Sequence, residues 1–514
     1  MLKSPESKQN LIDKFVGIFS PVRAVKRARA RMALEIINSY DGASKTRRAL
    51  KQWQTMGNDA DSDILGDLAT LRERSRDLCR NNPLAGGALK TKLTHVVGTG
   101  MRLQSRIDRE VLNYSDDQAD VWEATIQREW RLFWDSKNVD LARTLTGTGI
   151  LKMVYGQEKE NGDVFVLLPR VPRPGVPYDL CLQIIEADRV CNKDNGTDTD
   201  TLAGGIEKDK YGAPKNYHIL KRHPGNLAAP GGDEWEDFKA FGEKTGLRNV
   251  LHLYNPPRPG QSRGVPDLAP VIELFKQLGR YSDAEIMAAV ISAYFTVFVE
   301  TDGPVGGFDY SNIGGETNAA AADKDYKMGP GMIVELDGGD KVHDANPGRP
   351  NANFDPFVQA IQRQIGAGLE IPFEILIKHF TSSYSAARAA LLEFYRYVAT
   401  ERKFLTDNFL KPVYEVFMYE AVVNGRISAP GFFADPAIRA AYLNADFIGT
   451  AKGQIDELKE VRAAAARVDG KFSTLEQETT EMTGQDWEKN HIQQVKERKK
   501  QLADKLIEGP DKEE

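Results

Sequence analysis

Pro256-Pro257-Arg258-Pro259-Gly260-Gln261-Ser262-Arg263-Gly264-Val265-Pro266 admits two readings that lead to different folds. Residues 260–264 satisfy the GxSxG pattern of a nucleophile elbow, where a buried strand of a parallel sheet feeds straight into a turn that lifts the serine above the sheet. The approach here is Pro256-Pro257-Arg258-Pro259, and proline, with no N–H to give to a ladder, does not occupy a central strand. His343, His379 and His491 follow in the chain order of a triad partner, but no local context singles one out. The stretch therefore reads as a turn whose glycines serve backbone geometry. The chain around it reads as a mixed α+β protein with no parallel hydrolase sheet.

Upstream of the turn the chain is β-rich. Residues 164–168, 181–185, 216–220 and 249–254 are short apolar or β-branched runs separated by Gly, Pro, Asn and Asp clusters. Pro169, Pro172, Pro174 and Pro177 form a connector, and Asn195-Gly196 and Tyr211-Gly212 mark turns. Further back, Leu65, Leu68, Leu71, Leu78, Leu84 and Leu89 have helical spacing, broken or restarted at Asn82-Pro83. Gly98-Thr99-Gly100 turns into a strand over 101–106, and residues 117–134 carry Trp122, Ile126, Trp130 and Phe133 on one helical face.

Downstream, Asp267 is the expected N-cap of a long helix over 267–294, with Val271, Leu274, Phe275, Leu278, Ile286 and Val290 on its faces. A small β unit follows, with strands at 296–300 and 332–336 around a Gly- and Ala-rich stretch, 302–322. Pro356 in a first turn restarts helix through Leu369, and Ile371-Pro372 stops it. The next helix starts near Ser385 and runs through Arg402 towards Asn424, with an irregularity expected before Pro412. Beyond Gly425 the composition shifts to Ala, Glu, Lys and Gln. Residues 455–468 and 486–507 read as helices, with a turn at Asp469-Gly470 and Ser473 or Thr474 as cap, ahead of a polar, frayed end over 510–514.

A chain of 514 residues exceeds what one core supports, and 41% hydrophobic with 28% charged residues is ordinary globular usage, so several packed units are expected. No run approaches the roughly 20 apolar residues of a membrane helix; the best stretch, 287–299, is interrupted by Ser292 and Thr296, so a soluble protein with no membrane partner is expected. Residues 11–19 are apolar but contain Asp13 and Lys14 and precede no small-residue cleavage site, which argues against a secretory signal. Cys79, Cys181 and Cys191, odd in number and without metal-ligand spacing, suit a reducing compartment as small buried hydrophobes. A net charge of −6 excludes a generally basic surface. The arm over residues 1–60 is nevertheless basic, and within it Arg27, Arg29 and Arg31 are candidate DNA contacts, weighed against a solvated helix face.

Other motifs fail. Gly98-Thr99-Gly100 and Gly147-Thr148-Gly149 each lack the third glycine of a dinucleotide loop and read as turns. Asp194, Asp198 and Asp200 do not follow the EF-hand spacing, and no glutamate closes the loop. HExxH, paired CxxC and Walker A sequences are absent, so no metal and no cofactor is expected. A nuclease needs carboxylates clustered in space around metal, which spacing alone does not reveal.

Asn81-Asn82-Pro83-Leu84-Ala85 followed by Val96-Val97-Gly98-Thr99-Gly100-Met101-Arg102-Leu103-Gln104-Ser105 closely resembles the N-terminal signature of the lambda-type tailed-phage portal protein family, the head-tail connectors. In order after it, residues 182–189, 205–212, 258–266, 382–393 and 455–460 are similar to further family segments, and the stretch 258–266 matches its proline-glycine turn. Residues 302–322 and 432–451 depart from the pattern. The resemblance implies a structural portal subunit and not an enzyme, assembling as a dodecameric homo-oligomer around an axial channel. It implies a wing over 61–266, stem helices over 267–295 and 353–370 flanking a clip over 296–352, a tunnel loop over 371–384, a wing helix over 385–425 and a crown over 426–514. Lys378, His379, Ser382 and Ser383 of the tunnel loop would then make weak, sequence-independent contacts to double-stranded DNA. Net-negative subunits suit a conduit that must let phosphate slide. Implied partners are the terminase large subunit, the major capsid or scaffold protein, and head-completion or adaptor proteins. The implied location is the virion vertex, with the host cytoplasm during assembly. A virion-associated hydrolase or nuclease is the competing reading.

Overall fold

The computed structural model describes residues 22, 26, 41–44, 47–226, 234–293, 297–301, 340–344, 353–380, 383–453, 456–504 and 506; at 41, 291–293, 297–301 and 340–344 only the backbone is described. The chain divides into Met1–Asp59 and Ala60–Glu514. In the first unit a 3₁₀ turn spans Asp41–Ala43, and Arg27, Arg29 and Arg31 lie outside the described residues.

In the second unit, the break expected at Asn82-Pro83 separates α1 (Ala60–Asn81) from α2 (Pro83–Val96). Asn82 is extended, its Oδ1 accepts from the amides of Leu84 and Ala85 at 3.0 Å, and Pro83 fills the first helical position, where no N–H is needed. β1 (Arg102–Ser105) follows the glycine turn, and α3 (Asp116–Trp134) starts on a capping box of Ser115 and Gln118. Gly147-Thr148-Gly149, expected as a turn, is instead the first turn of α4 (Gly147–Asn161), capped by Thr146. Packing gives the reason. A Cβ on Gly147 would lie 2.1 Å from the Trp134 ring, so this glycine serves close approach within a helix.

The strands β2 (Asp163–Leu167), β3 (Gln183–Ile185), β4 (Leu202–Ala203), β5 (Ile206–Lys208), β6 (Pro214–Leu220), β7 (Trp235–Lys239) and β8 (Val250–Tyr254) make two antiparallel sheets, ordered β3-β2-β8 and β4-β5-β6-β7. In the first, Phe165 of the central strand faces Ile185 on one side and His252 on the other. Val164 and Val166 join the main core, while Phe165 and Leu167 join a second core with Ile206, Tyr217 and Ile219. Burial on both faces is why this strand reads as an unbroken apolar run.

Asp267 does not cap the long helix, because its carboxylate pairs with Lys92 at 2.6 Å; a 3₁₀ turn at Ala269–Val271 precedes α5 (Ile272–Ala293). β9 (Val297–Thr301) pairs antiparallel with β10 (Asp340–Asp344). The second strand expected at 332–336, and residues 302–322, lie outside the described residues. α6 (Phe354–Gly368) is followed by a one-turn helix, Phe373–Leu376, inside the segment read as loop, and then by α7 (Tyr384–Leu405). The irregularity expected before Pro412 is a π turn, Thr406–Leu410, which carries the helix into α8 (Lys411–Val423) past a residue with no N–H.

The unplaced stretch 432–451 contains α9 (Pro436–Leu443) and β11 (Ala445–Ile448), and β11 pairs with β1, Leu103 opposite Phe447. Ile427, Phe432, Tyr442 and Phe447 are therefore buried in the main core. Three helices follow where two are expected: α10 (Glu457–Asp469), α11 (Leu475–Thr483) capped by Thr474, and α12 (Trp487–Ala503) capped by Asp486. At the centre of the main core Trp130 stacks on Trp134 at 5.0 Å and meets Phe417 edge-on at 5.1 Å. Truncating a ring so placed costs about 3–5 kcal/mol. Among the described residues no helix is long and apolar enough to cross a membrane.

Candidate functional site

The segment between α6 and α7 is pinned at its base and bare at its tip. At the end of α6 the chain reverses so tightly that a Cβ on Gly366 would lie 2.7 Å from the carbonyl oxygen of Ile371, and the Ile371 amide donates to the Gly366 carbonyl at 2.9 Å. Leu369, Ile371, Ile375 and Leu376 are buried in the main core. The one-turn helix ends with Lys378 in left-handed backbone, φ 55°, and the His379 amide donating to the Glu374 carbonyl at 3.1 Å. This is the closing geometry usually given to glycine. Lys378 and His379 are exposed, Phe380 is 57% exposed, and neither Lys378 nor His379 makes an ion pair among the described residues. Ser383 caps α7, its Oγ accepting from the Ala386 amide at 3.4 Å; Ser382 lies outside the described residues.

Behind the tip stands a second basic layer. Arg402 of α7 donates to the carbonyls of Val96, His95 and Thr450, each at 2.9 Å, and so caps the end of α2. Burial depresses the His95 pKa, and the charges of Arg402 and Lys378 add to the effect. The Lys378 charge is thus close enough to His95 to disfavour a second cation there.

The GxSxG turn is held by different chemistry. Ser262 is buried, its amide donates to Asp61 Oδ1 at 2.7 Å and its hydroxyl donates to the same carboxylate, so its partner is an acid and no imidazole. Arg263 donates to Asp163 from Nε at 2.6 Å and to the carbonyls of Val190, Gly204 and Ala187 at 2.6, 2.7 and 2.7 Å. Arg72 reaches Asp163 at 2.8 Å, and His252 Nε2 lies 3.2 Å from it. A Cβ on Gly264 would lie 1.8 Å from the Gly162 carbonyl oxygen. The two arginines hold the buried Asp163 carboxyl far below the usual range. Sequence reasoning missed Arg72, Asp163 and His252, since their partnership spans distant segments and has no local spacing.

Glu186, Asp188 and His223 lie close enough to hold a metal ion. Arg76 already sits 2.5 Å from Asp188 and 3.4 Å from Glu186. His223 Nδ1 accepts from the Gly225 amide at 3.0 Å, which leaves the proton on Nε2, the atom facing the carboxylates. The group is built as an ion pair.

Comparison with known proteins bears on all of this. The model of the family described as "Phage portal protein, lambda family" matches residues 46–402. The chain belongs to that family. This portal subunit is 24% identical over 483 residues to portal protein B of Escherichia phage lambda, covering 90% of each chain. It is 24% identical over 469 residues to the portal protein of Escherichia phage N15, covering 87% of each. Among solved structures it is similar to a chain of the virion of a native gene transfer agent particle, with 14% identity, a TM-score of 0.43 and coverage of 85% and 98% of the two chains. As a member of a structural family, the portal subunit serves DNA packaging, and the proline-glycine turn is explained as an anchor preceding α5.

Proposed function

We propose that the chain closes with further copies of itself into a dodecameric ring at one vertex of a viral head, whose channel passes double-stranded DNA inward during packaging and outward on ejection. The ring nucleates head assembly, meets the terminase large subunit during packaging, contacts the major capsid or scaffold protein, and afterwards receives head-completion or adaptor proteins. It forms in the host cytoplasm and remains in the virion. α5 and α6 are the stem, the β9-β10 pair belongs to the clip between them, residues 371–384 are the tunnel loop, and residues 426–514 are the crown, of which β11 pairs with β1.

The observation that carries this reading is Lys378, exposed and without an ion pair among the described residues, in backbone that favours glycine and inside the span that matches the portal family. An exposed cation held in backbone that costs a non-glycine residue about 1 kcal/mol can meet a phosphate outside the chain. The subunit makes no catalytic contribution in this proposal: Ser262 is committed to Asp61, and no observation favours a hydrolase or nuclease.

Negative-stain microscopy of the purified full chain is expected to show annuli; a monomer under every ionic condition overturns the ring. The double variant Lys378→Ala with His379→Ala is expected to form annuli but to alter DNA packaging or retention. Wild-type behaviour in both assays would remove the tunnel-loop role.

A further inference from the structure

We infer that Glu158, Lys159, Glu401, Lys92 and Asp267 form a proton-operated latch: a proton on Glu158 holds Asp267 and the lead-in to α5 against α4 and α7, and its loss releases Asp267 to solvent. The inference goes beyond the ring and does not depend on it.

Four segments meet at this cluster. Glu158 and Lys159 stand near the end of α4, Tyr397 and Glu401 on α7, Lys92 on α2, and Asp267 just ahead of the 3₁₀ turn that leads into α5. The Lys159 ammonium lies 2.8 Å from Glu401 and 3.1 Å from Glu158. The Lys92 ammonium lies 2.6 Å from Asp267 and 4.7 Å from the centre of the Tyr397 ring. The Asp267 amide donates to the Lys159 carbonyl at 2.9 Å, which ties the two groups of charges together through the backbone. Tyr155 and Tyr397 complete the titratable surroundings, and burial raises the pKa of both hydroxyls, so neither adds a charge.

Three carboxylates thus face two ammonium groups. An odd charge among buried groups is costly, and a proton on one carboxylate removes it. Glu158 is the one that takes it: burial, with the charges of Glu401 and Asp267 adding to it, pushes its pKa up to about 7 against the pull of Lys159. Lys159 does not titrate in its place, because burial is overcome by Glu158 and Glu401, which hold its pKa above the ordinary range.

When Glu158 ionises, the odd charge returns, and exposure decides which carboxylate leaves. The Asp267 side chain is 25% exposed, against 6% for Glu158 and 11% for Glu401. Without Asp267, the remaining Lys92, Lys159, Glu158 and Glu401 balance two against two. The proton and Asp267 are therefore held together and lost together. The closed latch binds a proton that the open latch lacks, so rising pH opens it between the ordinary carboxylate range and about 7 and adds nothing beyond.

The test is hydrogen–deuterium exchange of the full chain from about pH 5 to about pH 8, corrected for the intrinsic pH dependence of exchange. The hydrogen-bonded amides of Asp267, Ala269 and Val271 report the lead-in, and α3, which carries Trp122, Ile126, Trp130 and Phe133 of the main core, reports unfolding of the whole unit. Protection of the lead-in is expected to fall by about tenfold or more between about pH 5 and about pH 7, ending below that of α3, and then to level off. Glu158→Gln, which cannot ionise, should keep the acid-side protection throughout. Asp267→Asn, which removes the odd carboxylate, should lower protection at every pH and abolish its pH dependence; a merely structural ion pair would lower it and leave the slope. Lead-in exchange that keeps pace with α3 at every pH overturns the latch. So does pH-independent protection in the wild type, or the wild-type slope retained in Asp267→Asn, the measurements that decide should Glu158→Gln fail to fold.

Discussion

Two buried charge clusters in the same unit are built on opposite stoichiometries. Beneath the turn at 260–264, one carboxylate, Asp163, is shared by two guanidinium groups, an imidazole and the Gly264 amide. Beneath α7, one ammonium, Lys159, is shared by two carboxylates, Glu401 at 2.8 Å and Glu158 at 3.1 Å, beside the Tyr155 and Tyr397 hydroxyls, 3.2 Å apart. Excess cation in the first keeps Asp163 ionised. In the second, Glu158 Oε2 and Glu401 Oε2 share the one ammonium, and burial, with the Glu401 charge adding to it, pushes Glu158 up to about 7. The lesson is that burying charge makes a permanent lock where the minority charge is saturated, and a proton-sensitive joint where the majority charge is left over.

The largest expected effect comes from breaking the lock. Asp163→Ala leaves the buried Arg263 with backbone carbonyls alone and Arg72 with only Asp188, at 3.4 Å, as a carboxylate partner, and chemical denaturation should show a loss of about 3–5 kcal/mol. A loss under about 1 kcal/mol would mean that water enters and the two clusters are not different in kind.

Next is the pH response, where the clusters have opposite signs. Glu158 is raised in the folded chain, so between the ordinary carboxylate range and about 7 the folded state binds a proton that the unfolded state lacks. Stability from this group is greatest in acid and falls as pH rises, by on the order of 2 kcal/mol from about pH 5 to about pH 7. Glu158→Gln should flatten that slope. His252 is lowered by burial, so below its ordinary range the unfolded chain takes up a proton that the folded chain refuses, and the Asp163 cluster weakens in acid. Denaturation midpoints of the Gln variant and wild type that run parallel across this range would refute the sign assigned to Glu158.

Much of this fold was legible beforehand, for reasons that can be stated residue by residue. Asn82-Pro83, the alternation into β1, the one-sided aromatics of α3 and the interruption before Pro412 are local signals, and each lies where its chemistry requires. Gly147 misled because a glycine kept for a tryptophan ring looks the same in sequence as a glycine kept for a turn. Asp267 misled because a good capping residue is also a good partner for a lysine 175 residues away. β11 was invisible because a four-residue strand closing a two-stranded sheet carries no pattern of its own. Of the candidate contacts, Lys378 and His379 were singled out from the tunnel loop that the family resemblance implies, and the structure leaves both exposed. The buried clusters, made of pairs distant in sequence, offered nothing to find.

An exposed charge with no ion pair among the described residues sharpens the contrast between lock and joint, and Lys378 supplies it with the smallest expected change in stability. Its left-handed backbone disfavours any residue with a Cβ, and its ammonium lies near enough to His95 to add to the depression of the imidazole. Both effects oppose the fold. Lys378→Gly should therefore stabilise the chain by about 0.5–1 kcal/mol, less the extra chain entropy that glycine releases on unfolding. His95, relieved of one neighbouring cation, should titrate at higher pH by NMR. Packaging or retention of DNA should fall in the same variant. A Lys378→Gly chain that melts lower, with His95 unmoved, would mean that the lysine stem is packed for stability and that its charge has no claim to the channel.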